Sequence, residues 1–184
     1  SVQAATPLLS LNAEEVDKLI VSNSEHRMEI DGNSFVPTPT PIPEGANPVT
    51  GAPERPAIQE WTLSSPSLVQ LDQQKVNSFA NSLMTITSIE NIGKKTRDEA
   101  EEYGIAHDNP QIQYYMEDGT EHTILLGKEL SSTSQGRYYA YNPSTEEVAV
   151  VTSVATRILS SPLELLDNSI VNLLHNEITT FSLE

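Results

Sequence analysis

Four histidines, His26, His107, His122 and His175, are the side chains of this sequence best suited to move a proton or hold a metal near neutral pH. Their spacing supports neither role. None stands three or four residues from a second histidine, and no His-Glu-x-x-His occurs. A nucleophilic serine needs a base within reach, yet there is no Gly-x-Ser-x-Gly elbow, and the serine cluster "SSTSQGR" reads as a loop. Gly127-Lys128 lacks the glycines that a phosphate cradle places before its lysine. The acidic stretch "RDEAEEYG", 97 to 104, offers carboxylates but not the alternating Asp and Asn of a calcium loop, so it reads as a solvated helix face. With no cysteine, disulfides, thiolate metal sites and a cysteine nucleophile are excluded. The sequence nominates no catalytic, cofactor-binding or metal-ligating residue.

The aromatic residues carry the remaining possibility. Trp61 and the run Tyr138, Tyr139 and Tyr141 form an interaction surface if they are exposed, because rigid aromatic rings anchor interfaces. The competing reading is packing: a lone tryptophan anchors a core against a helix, and tyrosines in a strand pair across it.

Composition narrows the partners. Ten basic against twenty-six acidic residues give a net charge of −16, which repels nucleic acid and anionic lipid surfaces. No window approaches the roughly eighteen apolar residues of a membrane span, and the start lacks the basic and apolar regions of a signal peptide. A chain of 184 residues suits one domain with one good core.

The elements that would position these residues are those of an α+β domain, mostly antiparallel sheet. Strands are expected at 16 to 22, 27 to 30 and around Trp61, with Asp31-Gly32-Asn33 ending the second. Residues 36 to 56 hold seven of the twelve prolines, so this piece is read as a proline-rich insertion outside the sheet. Asp72 is a good N-cap for an amphipathic helix whose apolar stripe is Val76, Phe79, Ala80, Leu83 and Met84. A β-branched strand is expected over 85 to 91, and a short acidic helix closes at Gly104. Asp118-Gly119 divides two strand-like runs over 112 to 126, the signature of a hairpin with a primed turn. Another hairpin turns at Asn142-Pro143-Ser144, short C-terminal helices divide at Ser161-Pro162, and 177 to 183 reads as a strand. The ends "EEVDKLIVS" and "NEITTFSLE" match in pattern, as the ends of a repeat unit do.

In order along the chain, the Trp61 strand, the helix opening at Asp72, Tyr103-Gly104-Ile105, Asp118-Gly119, Leu126-Gly127, Tyr138-Tyr139-Ala140 and the terminal "LLDNSIVNLL" resemble the bacterial domain-of-unknown-function family 4340. The insertion at 36 to 56 departs from the short turn usual before the Trp strand. The resemblance implies an extracytoplasmic, envelope protein held by an N-terminal membrane helix ahead of Ser1, often in tandem copies, and encoded beside auxiliary components of gliding-type ABC transporters. It implies that this chain is a fragment cut at a repeat boundary, and it carries no catalytic residues. The expected function is a noncatalytic interaction or scaffold domain with a protein partner in the envelope. Two other readings stand beside it: a carbohydrate- or peptide-binding module using exposed aromatics, and a hydrolase with a carboxylate pair.

Overall fold

The computed structural model describes residues 6–35, 44–45, 58–131 and 136–167. The strands are β1 (Leu9–Ser10), β2 (Val16–Ser22), β3 (Arg27–Phe35), β4 (Ile58–Ser65), β5 (Thr85–Ile86), β6 (Glu90–Lys94), β7 (Gln111–Met116), β8 (Glu121–Glu129), β9 (Tyr138–Asn142) and β10 (Glu147–Val151). Among the described residues three short helices accompany them: α1 (Gln73–Ser82), α2 (Arg97–Ala100) and α3 (Ser153–Ile158). Eight strands form one sheet in the order β4-β3-β2-β7-β8-β9-β10-β6, and each pairing is antiparallel. Two meanders, β2-β3-β4 and β7-β8-β9-β10, thus run outward from a central β2–β7 seam. The expected α+β architecture with hairpins is the one observed.

Strand alternation decides which face each side chain takes. Leu19, Val21, Met28, Ile30, Trp61, Leu63, Ile112, Tyr114, Ile124 and Leu126 turn to one face. There they join Val76, Ala80 and Leu83 of the α1 stripe, Val154, Ala155 and Ile158 of α3, and Leu9 and Ile86 of the small β1–β5 ladder. Asp72 caps α1 as expected, its carboxylate accepting from the amides of Gln74 and Lys75 at 3.0 and 3.3 Å. Phe79 is only partly buried, at the margin of this core.

A smaller core lies on the opposite face. After Thr96, α2 and a 3-10 turn at Glu101–Tyr103 set Ala100 and Ile105 against Leu125, Tyr141 and Val148. Gly104 ends that turn in the left-handed region at φ 76°, as read from the sequence. The rest of the face, across β3, β2 and β7, carries polar side chains such as Lys18, Arg27, Glu29, Asp31 and Gln113. Cross-strand Lys18 and Asp31 lie 3.7 Å apart, and Arg27 meets Glu29 at 2.9 Å.

Three expectations need correction. Asp31-Gly32-Asn33 does not end β3, which runs on to Phe35. Gly32 serves a close approach instead: a Cβ there would collide with the Val16 carbonyl oxygen and the Gln59 amide and lie 2.8 Å from the Trp61 ring. Residues 85 to 91 make no single strand, because Thr85–Ile86 pairs with β1 while Glu90–Lys94 pairs with β10. The Asp118-Gly119 turn is a three-residue hairpin loop rather than a primed two-residue one. Gly119 N–H donates to Met116 O at 3.0 Å, Met116 N–H donates to Thr120 O at 2.8 Å, and only Gly119 of this loop has a positive φ, 87°. A 3-10 turn at Pro162–Leu165 follows α3. The end-strand reading at 177 to 183, with it one half of the repeat-like match, and the proline-rich insertion apart from residues 44–45 lie outside the described residues.

Candidate functional site

Where the smaller core stops, the polar face of the sheet begins, and a notch of 310 Å³ sits at that boundary. Its wall comes from the 96–110 segment and its floor from β7 and β8. On the floor, Gln113 of β7 stands opposite Thr123 of β8, with Gln111 opposite Leu125. Alternation sends these four to the same face while Ile112 and Ile124 enter the larger core. Arg97 and His107 line the wall, and Pro143 closes one side.

The wall is built locally. Thr96 and Glu99 form a capping box: the Glu99 amide donates to Thr96 Oγ1 at 3.3 Å and the Thr96 amide donates to Glu99 Oε2 at 2.8 Å. Hydrogen bonds from Thr96 to the Glu99 carboxylate, the one from its amide foremost, hold that exposed carboxyl below its usual range. The cap fixes where α2 starts and so where Arg97 projects. Its guanidinium lies over the Tyr141 ring at 5.9 Å, and the Tyr141 hydroxyl donates to Lys95 O at 3.1 Å. Burial and the nearby Glu146 charge push the Tyr141 hydroxyl above its ordinary value, with Arg97 opposing them. Asn109 ties the wall to the floor, its side-chain amide donating to Gly104 O and, at 2.8 Å, to Leu126 O.

The residues singled out in the sequence as a possible interaction surface do not assemble into one. Trp61 is fully buried: its ring N–H donates to Asn81 Oδ1 at 2.9 Å, its amide donates to Asn77 Oδ1 at 2.9 Å, and its carbonyl accepts from Gln73. It anchors α1 to β4. The three tyrosines divide between two faces, as strand neighbours must. Tyr138 packs at the edge of the larger core, and burial, then the Glu129 charge, raises its hydroxyl pKa. Tyr141 is buried in the smaller core, and Tyr139 is half-buried beside it, edge-on to Tyr103 with ring centroids 4.9 Å apart. An aromatic platform needs rings on one exposed face, whereas here Tyr138 faces away from Tyr139 and Tyr141, and Tyr141 and Trp61 are buried.

A second groove, of 550 Å³, lies at the other end of the sheet between Glu14, Asp17, Asn33, Gln59 and Glu117. Gln59 donates to Val16 O at 3.2 Å, while its Oε1 is buried without a hydrogen-bond partner. Among the described residues no group of three His, Asp or Glu is placed to hold a metal ion. The Asp118 carboxyl is held below its usual range by hydrogen bonds from Thr120. Asp118 and Glu99, the described carboxyls with shifted acidity, move in the same direction and both are exposed. Among the described residues no helix is long and apolar enough to cross a membrane.

The model of a family described as "Domain of unknown function (DUF4340)" matches residues 61–184. The chain belongs to that family. The matched span holds every residue lining the notch, whereas β2 and β3 of the same DUF4340 sheet precede it. Comparison with curated proteins gives no match, and comparison with solved structures gives none either. Sequence reasoning missed the notch because its floor joins residues ten and fourteen positions apart on two strands, Gln113 with Thr123 and Gln111 with Leu125. The hairpin was legible, and its alternation was the signal that would have placed Gln111, Gln113, Thr123 and Leu125 on one face.

Proposed function

We propose that this DUF4340 chain is a noncatalytic interaction domain of the cell envelope. In this reading it works on the extracytoplasmic side, anchored to the membrane in the full-length protein, and docks a protein partner belonging to an ABC transporter assembly. The observation that supports docking is the notch: hydrogen-bonding side chains on a rigid two-strand floor, walled by a segment whose position a capping box and Asn109 fix. Sites on strands hold their geometry better than sites on loops. The envelope and transporter context rests on what is typical of the family. The rival reading, a carbohydrate or peptide module working through exposed aromatics, loses its basis with Trp61 and Tyr141 buried.

Site-specific photo-crosslinking in native membranes tests it. A photoreactive residue at Gln113 of the full-length protein should give one discrete adduct, identified by mass spectrometry as a transporter component. The same residue at exposed Glu164 serves as the control. No adduct from position 113, or the same adducts from both positions, would remove the docking reading.

A further inference from the structure

We infer that the notch is a carboxylate-recognition subsite, in which Arg97 receives an Asp or Glu side chain of the protein partner and the neighbouring amides receive the peptide backbone beside it. The inference rests on the reading of the notch as a docking site and names the chemistry it selects. In a chain of net charge −16, the notch is lined by Arg97 and His107 and by no carboxylate. Among the described residues the ion pairs Lys18–Asp31 and Arg27–Glu29 and the His26–Glu25 contact leave Arg97 out, so none of them neutralises it.

Arg97 is half-buried, and the planar donor fork of its guanidinium lies over the Tyr141 ring at 5.9 Å. That fork matches a carboxylate with two parallel hydrogen bonds, which a lysine cannot reproduce. Its position is set in advance by the Thr96–Glu99 capping box and by Tyr141, whose hydroxyl is itself tied to Lys95 O. Less conformational freedom is therefore lost on binding than for an arginine on a free surface. Around it, the Gln111 and Gln113 amides and the Thr123 hydroxyl both donate and accept, as a peptide backbone requires. Leu125, almost wholly buried, and Pro143 give an apolar floor for side-chain methylenes. The volume of 310 Å³ suits one side chain with its adjoining backbone.

The acidic remainder of the chain sharpens the selection. Long-range repulsion turns away nucleic acids and other polyanions, whereas a single carboxylate on a protein surface feels mainly the cation at contact distance.

Two capped peptides test the inference by NMR titration of the isotope-labelled chain: N-acetyl-Ala-Glu-Ala-amide and N-acetyl-Ala-Gln-Ala-amide. The Glu peptide should shift the Gln111 and Gln113 side-chain amide signals and the Thr123 amide saturably, and bind about tenfold more tightly than the Gln peptide, as a charge-assisted bond in place of a neutral one implies. Arg97→Gln should erase that difference, and Arg97→Lys should restore only part of it. Equal binding of the two peptides, shifts centred on Lys18 or Arg27, or no saturable shift at the notch would overturn it. Because the peptide comparison uses the unaltered chain, the outcome stands even where a variant folds poorly. A position-113 adduct that persists while the peptides show no preference sinks the carboxylate assignment and leaves docking intact; loss of the adduct removes both.

Discussion

Gly32 and Tyr114 show how single residues govern this sheet. At Gly32 the backbone is ordinary extended strand, so the demand for glycine comes from space: the Val16 carbonyl, the Gln59 amide and the Trp61 ring occupy the place of a Cβ. Two of those obstacles are backbone or a buried ring that cannot swing aside. Gly32→Ala should cost about 3 kcal/mol, the upper range for overpacking, read as a lower denaturant midpoint with unchanged slope. A loss under about 0.5 kcal/mol would show that the β3–β4 end shifts freely. Tyr114 makes a pH prediction. It is fully buried, its hydroxyl donates to Leu83 O at 2.6 Å, and burial drives its pKa far above the ordinary value. Above about pH 10 the unfolded chain loses this proton while the folded chain keeps it, so the folded state binds more protons and stability must fall as pH rises. The contribution is complete below about pH 10 and declines by roughly 1.4 kcal/mol per pH unit above it. Tyr114→Phe should flatten the decline by one proton's worth between pH 10 and 11. An unchanged slope in urea titrations would mean that the phenol ionises without unfolding.

At the scale of elements, the two glycines of the β7–β8 hairpin look alike in sequence and do different work. Gly119 has φ 87° with nothing within 4 Å of a would-be Cβ, so Gly119→Ala meets only backbone strain, about 1 kcal/mol. Gly127 has no positive φ, but a Cβ there would collide with the Tyr103 carbonyl and lie 2.8 Å from Ile105, in the segment that walls the notch. Gly127→Ala should therefore cost more, about 2 to 3 kcal/mol, and raise amide exchange across 100 to 109. The order of the two midpoints checks the assignment: a larger loss at Gly119 would place the constraint in the turn and not in the packing of the wall. Such differences mark the limit of what local sequence tells. The β2 limits, the Asp72 cap, the Gly104 stop and the hairpins turning at Asp118-Gly119 and at Asn142-Pro143-Ser144 were legible, because periodicity, capping and turn chemistry act within a few residues. The loop type at Asp118-Gly119 was not, because an Asp-Gly pair fits both a primed turn and a type I turn with a bulge; cross-strand pairing of Met116 with Thr120 decides.

For the whole molecule, the question left to the sequence was what Trp61 and the tyrosines are for, and only the packed sheet answers it. Among the described residues β4 is one edge of the sheet order, and an edge strand offers free amides and carbonyls to any passing strand. Here Asn77 and Gln73 of α1 occupy the amide and carbonyl of Trp61, which closes the middle of that edge with side chains. Residues sixteen and twelve positions away supply those bonds, a relation that no local pattern in "WTLSSP" announces. The same edge bears on the proline-rich insertion. Phe35 is the register partner of Ile58, so the ends of β3 and β4 already lie side by side, at the spacing of an ordinary hairpin. Extending the register by one pair would set Val36 opposite Ala57, and a two-residue Asn-Gly loop could join them. Replacing residues 37 to 56 by Asn-Gly should thus leave the sheet closed, because a shorter loop lowers the closure entropy and adds no strain to β3. The expected change in Tm is under about 3 °C, equivalent to roughly 1 kcal/mol for a chain of this size. A fall of 10 °C or more, beyond about 3 kcal/mol, would show that the insertion stabilises the β3–β4 edge through contacts of its own.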